Sequence, residues 1–243
     1  MSTITLVLIP GLMCDQAAWA EQSAALAALV PGLTVADHGR ADSLADMARA
    51  VLAAHAGPLA VAGHSMGGRV ALEIARLAGE RLRGLALLDT GYRALESGQA
   101  GAREIEVRMR LLDEARREGV RAMAASWVRD MVHPARLQDR VLIGAILDMF
   151  ERRDAEHFAA QIKALIERPD ATAVLAQVRC PTLLLCGEQD RWSAPPQHRE
   201  MHALIAGSSL TIVPDCGHMS LMERPQAVNA ALADWLQLCL RDG

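Results

Sequence analysis

Leu59-Ala60-Val61-Ala62-Gly63-His64-Ser65-Met66-Gly67-Gly68 decides how the rest of this chain is read. Leu59–Ala62 is a short apolar run and predicts a buried strand. The helical pattern Met66–Ala78 follows almost at once and stops at Gly79. Between the two, Ser65 has a glycine two residues before it and two residues after it. That arrangement suits one steric situation: a sharp, strained turn that lifts the serine hydroxyl clear of a sheet. The small flanking residues let the backbone crowd there without a Cβ clash. The following helix points its N-terminus at whatever reacts at Ser65 and favours developing negative charge there. The spacing is neither G-x-G-x-x-G nor a Walker loop, so it does not read as a phosphate cradle.

Outward from this turn, short apolar runs alternate with helical patterns. Thr3–Ile9, Leu33–Ala36, Leu59–Ala62, Leu85–Leu88, Thr182–Leu185 and Leu210–Val213 predict about six strands. Helical patterns fill Asp15–Val30, the stretch opened by Ser43 with Asp46 at capping-box spacing, Met66–Ala78, and the stretches beginning near Pro195 and Pro225. Such alternation predicts a mostly parallel sheet with helices on both faces. From about Gly91 to Val178 the alternation stops. Four helical patterns stand there, near 101–117, 119–132, 135–151 and 154–167, which reads as a helical insertion in a sheet domain.

A nucleophilic serine needs a base within reach and an acid to orient that base. The carboxyl ends of parallel strands are where such groups gather. Thr182–Leu185 exits into Cys186-Gly187-Glu188-Gln189-Asp190, and Leu210–Val213 exits into Pro214-Asp215-Cys216-Gly217-His218. Asp190 is the candidate acid and His218 the candidate base. Asp89, at the end of Leu85–Leu88, is a rival acid, and Glu188 lies nearer its strand. Of the eight histidines, His218 alone follows the last strand; His64 neighbours the serine but is expected to point elsewhere. The oxyanion is expected on two backbone N–H groups: Met66, after the serine, and Leu12, in the loop Pro10-Gly11-Leu12-Met13 after the first strand.

The chain has 243 residues, half of them hydrophobic, enough for one sizeable core. Its net charge is −4 and no basic stretch tracks phosphates, so nucleic acid is not an expected partner. The five cysteines contain no C-x-x-C pair, which argues against a zinc, redox or disulfide framework. Cys14 and Cys216 have no recognisable activating partner. The stretch Met1–Pro10 reads as a buried strand rather than a leader, and the longest uncharged run, Ala50–Gly68, is too interrupted for a membrane span. A cytoplasmic protein, monomer or homodimer, is the expectation.

Taken together, the chain resembles the α/β-hydrolase superfamily along essentially its whole length. Gly63-His64-Ser65-Met66-Gly67-Gly68 resembles the nucleophile elbow, Pro214-Asp215-Cys216-Gly217-His218 the histidine loop, Asp190 the acid position, and Trp19 the tryptophan that often follows the oxyanion loop. It is most similar in style to small bacterial esterases, enol-lactonases and carrier-protein methyl-ester esterases. The resemblance implies an α/β-hydrolase core, residues 1–91 and 176–243, with residues 92–175 as a helical cap between the family's sixth and seventh strands. The chain departs from the family in having Pro10-Gly11 where His-Gly is usual, and in starting at the third strand.

The resemblance implies a serine hydrolase, free of cofactor and metal, that cleaves an ester or lactone of a small, largely apolar molecule. Trp127, Met131, Phe150 and Trp192 are the side chains expected in its pocket; Met109, Met123 and Met149 are further cap residues. C–C bond hydrolysis, thioester hydrolysis and perhydrolysis run on the same three residues. A ligand-binding protein that keeps the fold is a different class of reading.

Overall fold

A computed structural model describes residues 4–241. Six strands form one sheet: β1 (Thr5–Ile9), β2 (Gly32–Val35), β3 (Leu59–His64), β4 (Leu82–Leu88), β5 (Thr182–Gly187) and β6 (Ser209–Val213), in the order β2-β1-β3-β4-β5-β6. Every pairing is parallel. β3 and β5 are buried throughout, whereas the edge strands β2 and β6 are mostly half-buried. This is why the central strands read as unbroken apolar runs and β2 barely registers in the sequence.

The helices are α1 (Ala20–Leu26), α2 (Leu44–Ala54), α3 (Met66–Ala78), α4 (Gln99–Glu118), α5 (Val120–Trp127), α6 (Arg140–Glu151), α7 (Ala155–Ile166), α8 (Thr172–Leu175), α9 (Pro195–Leu204), α10 (Ser220–Glu223) and α11 (Pro225–Arg241). The chain steps one way from β1 to β2 and the other way afterwards. Right-handed crossovers therefore put α1 on one face, where it packs against α11, and α2 and α3 together on the other. The reversal separates the loops that leave β1 and β3 and opens a crevice at the strands' carboxyl ends, where sheets of this kind bind ligands. Gly11–Leu12 and Ser65 flank it.

Local signals behave as their chemistry requires. Ser43 caps α2 by accepting from the Asp46 N–H at 3.1 Å. Between β4 and β5 the described chain is helical, as the sequence predicts, but the boundaries move. Gly119, at φ 91°, ends the long α4, and α5 stops at Trp127 and passes into a 3-10 turn. The pattern expected from 135 begins as a 3-10 turn, and α6 itself starts where Asp139 accepts from the Leu142 N–H at 3.0 Å. Met123, Met149, Phe158 and Ile162 of this region join the same buried core as the sheet. Its rim is tied to the loop after β2 by Arg153–Asp37 at 2.8 Å and Lys163–Asp42 at 2.7 Å, exposed pairs of small individual worth. Among the described residues no helix is long and apolar enough to cross a membrane.

Candidate active site

Ser65 sits at φ 55°, ψ −117°, a region that costs a non-glycine residue strain energy and persists only where its surroundings hold it. They do so from both sides. The Ser65 N–H donates to the Leu88 carbonyl of β4 at 2.9 Å, and the Thr90 hydroxyl donates to the Ser65 carbonyl at 2.6 Å. The flanking glycines are required by contact. A Cβ on Gly63 would lie 2.2 Å from the Gly67 carbonyl oxygen, and one on Gly67 2.1 Å from that of Ile9 in β1.

The loops after β5 and β6 complete the arrangement. His218 Nδ1 lies 2.8 Å from Asp190 Oδ2, and His218 Nε2 lies 2.8 Å from Ser65 Oγ. The carboxylate accepts the Nδ1 proton, which leaves Nε2 free to accept from the serine hydroxyl. Asp190 and His218 are both buried. Burial alone would raise the Asp190 carboxyl, but the charge and hydrogen bond of His218 outweigh it and bring it down to about 2. Burial would lower the His218 imidazole, and Asp190 outweighs that in turn, so His218 stands above its ordinary 6.5.

The rival acid has another partner. Asp89 Oδ2 accepts from the Ser220 hydroxyl and Oδ1 from the Gly187 N–H at 2.9 Å, with no bond to the His218 ring. Burial and the charge of Asp190 push its carboxyl well up. Glu188 is exposed. His64 does point away from the serine hydroxyl, yet it is no bystander: its Nε2 donates to the His218 carbonyl at 2.8 Å. Burial takes its pKa down to about 3, so it stays neutral.

Leu12 and Met66 both border the cavity in front of Ser65, and Gly11 packs directly on the elbow; a Cβ there would lie 2.9 Å from His64 Nδ1. The neighbouring Met13 N–H donates to Gln161 Oε1 of α7 at 2.8 Å, a bond that fixes the loop. Glu223 grips the histidine loop in the same way. Its Oε1 accepts from the N–H groups of Gly217 at 3.0 Å and Met219 at 3.2 Å, and its Oε2 from that of His133 at 2.7 Å. Neither Gln161 nor Glu223 stands out in the sequence, because each partner lies far away or across a loop with no motif.

The cavity measures about 580 Å³. All four expected pocket residues border it: Trp127, Met131, Phe150 and Trp192. Trp192 meets the His218 ring edge-on at 4.8 Å and stacks on Trp127 at 5.4 Å. Met123 and Met149 are core instead, and Met109 is exposed away from the cavity. The lining is less apolar than the sequence suggests, for Arg69, Arg103, Glu104, Arg108 and Arg168 also border it. Cys14 borders it too, with its thiol pushed up to about 12 by burial and by Asp15, which leaves no useful thiolate. Among the described residues no group of three or more His, Cys, Asp or Glu side chains is gathered to hold a metal ion.

The geometry has counterparts. A thermophilic esterase from Thermogutta terrifontis superimposes with a TM-score of 0.85 at 28% identity, over 98% of this chain and 91% of that one. The enol-lactonase from Burkholderia xenovorans LB400 gives 0.82 at 25%, over 98% and 92%. A 2-hydroxy-6-oxononadienedioate/2-hydroxy-6-oxononatrienedioate hydrolase of Escherichia coli is 31% identical over 102 residues, 41% of this chain. That match spans 35%, about a third, of the relative's length. The model of the alpha/beta hydrolase family matches residues 6–231, nearly the whole chain. With the six-stranded parallel sheet, the strained serine turn and these likenesses in hand, the chain belongs to the α/β hydrolase family.

Proposed function

We propose that this protein is a serine hydrolase that cleaves a carboxylic ester or lactone of a small substrate through an acyl-enzyme. The observation that carries the reading is the unbroken line Asp190–His218–Ser65, with both bonds at 2.8 Å and the serine on a strained turn. Ser65 Oγ attacks the acyl carbon while His218 Nε2 takes its proton. Asp190 orients the imidazole and stabilises the imidazolium. The Leu12 and Met66 N–H groups receive the oxyanion, helped by the N-terminus of α3. His218 then protonates the leaving alcohol, and water reverses the sequence on the acyl-enzyme. Residues 92–175 act as the cap whose Trp127, Met131 and Phe150, with Trp192, shape the pocket. No cofactor takes part.

Hydrolysis of p-nitrophenyl acetate and butyrate by the wild type and by Ser65→Ala tests this. Turnover in the wild type and a loss of roughly 10⁴-fold or more in the variant is the expected result. Equal rates in both would sink it. C–C bond hydrolysis on the same residues is the second reading, favoured by the name of the Escherichia coli relative. A wild type inert on esters but active on a C–C substrate would select it.

A further inference from the structure

The arginines bordering the cavity are not evenly paired. Among the described residues Glu104 of α4 is the sole carboxylate that borders it, against Arg69, Arg103, Arg108 and Arg168. Arg168 takes Glu104 in a two-pronged grip, Nη1 to Oε1 at 2.7 Å and Nη2 to Oε2 at 2.8 Å. Arg108 Nη2 shares Oε1 at 2.8 Å. That carboxylate is therefore fully engaged. Burial pushes it up, but these two guanidinium groups outweigh burial and hold it below its ordinary value.

Arg69 and Arg103 are left over. Among the described residues no carboxylate pairs with either. Arg69 donates Nη1 to the Arg93 carbonyl at 2.9 Å, a neutral partner, and feels the charge of Glu104 without a direct bond to it. Burial, then the charge of Arg168, pulls Arg69 down to about 9 against the opposing charge of Glu104. Arg69 is half-buried and Arg103 exposed at the rim, and four cations gathered round one carboxylate favour an anion that joins them. The fold makes room for the arrangement. A Cβ on Gly91 would lie 2.7 Å from Arg69 Nη2. Arg69 is also well placed, for it stands about one turn along α3 from Ser65 and its N–H bonds the Ser65 carbonyl at 3.4 Å.

We propose that this cavity binds an ester or lactone carrying a free carboxylate, with Arg69 and Arg103 as its anchors and the Arg108–Glu104–Arg168 cluster as their fixed support. The guanidinium fork matches a planar carboxylate in two parallel hydrogen bonds. Leu111 and Leu165 border the same cavity and suit the carbon stem between carboxylate and scissile carbonyl. This inference rests on the hydrolase reading above and narrows its substrate class.

Matched esters test it. Monoethyl glutarate and ethyl pentanoate differ by a carboxylate in place of a methyl on the acyl side; acetoxyacetate and ethyl acetate differ likewise on the alcohol side. Release of acid is followed by titration. In at least one pair the carboxylated ester should lead in kcat/KM by about tenfold or more, as a charge-assisted hydrogen bond warrants. Raised salt should narrow the lead. Arg69→Gln should bring the ratio close to one, and Arg103→Gln, on the exposed side of α4, should lower it and serves if the first variant does not fold. A wild type that prefers the neutral ester in both pairs, or variants that keep the lead, overturns the proposal. Glutarate should inhibit competitively; inorganic phosphate inhibiting equally well overturns the carboxylate assignment. If no ester turns over but calorimetry shows glutarate binding that Arg69→Gln abolishes, the hydrolase reading fails and the anion site stands.

Discussion

Asp190 uses its two oxygens for two tasks. Oδ1 accepts from the N–H groups of Trp192 at 2.8 Å and Ser193 at 3.0 Å, which closes the turn after β5; Oδ2 takes the His218 ring. One side chain thus both closes a turn and holds the imidazole, so Asp190 carries the acid's place in the proposed mechanism without giving up its local role. Its consequence is a pH dependence. His218 must be neutral to take the Ser65 proton, and its pKa lies above 6.5, so kcat/KM should fall as pH drops through that raised value. In Asp190→Asn the main cause of the rise is gone while burial, which lowers the pKa, remains. The acid limb should therefore move to lower pH. The rate should also fall by roughly 10⁴, because an amide donating to Nδ1 holds the wrong tautomer. A pH–rate profile whose limb stays in place would mean that the carboxylate does not set the imidazole's charge.

At the scale of elements, Ser65, Asp190 and His218 sit on turns and loops, and contacts from other elements hold those loops. The β1 loop is tied to α7 through Met13 and Gln161, and the histidine loop to the insertion through the His218 N–H, which donates to the Met131 carbonyl at 2.6 Å. Gly217 is placed by that contact, since a Cβ there would lie 2.6 Å from the Met131 oxygen. Gln161→Ala removes a buried acceptor and leaves the Met13 N–H unpaired, a cost of about 1–3 kcal/mol. Loosening Leu12 should lower kcat on the order of tenfold, less than the ~10²–10³ expected when an oxyanion donor is lost outright. Gln161→Glu, which retains an acceptor, should recover most of kcat. Steady-state kinetics beside thermal denaturation checks this; a stability loss with kcat intact would show the bond to be structural only. The existence of these helices is legible in the 3.6-residue periodicity of the chain, but their ends are not. Gly119 and Asp139 set them through local backbone geometry and capping that compete with a continuing apolar pattern.

Across the whole molecule, strand order does the assembling. The reversal between β1 and β3 brings Leu12 and Ser65 to one crevice, and β5 and β6 deliver Asp190 and His218 to it from the same end of the sheet. That much was open to reading from the sequence, because turn chemistry and strand ends are local and the topology rules are few. The strained serine turn, Asp190 and His218 all announce themselves beside apolar runs. The arginine cluster does not. Arg69 of α3, Arg108 of α4 and Arg168 after α7 lie far apart in the chain with no motif between them, and only the fold brings them to one cavity. Gln161 and Glu223 are hidden for the same reason: their roles are contacts between elements. The central claim is that Ser65, activated by His218, is the nucleophile. Labelling with a fluorophosphonate, followed by peptide mass spectrometry, tests it most directly. The account predicts one phosphonyl group per chain, on Ser65, lost in His218→Ala; a label on another residue, or none on a folded protein that hydrolyses esters, would contradict it.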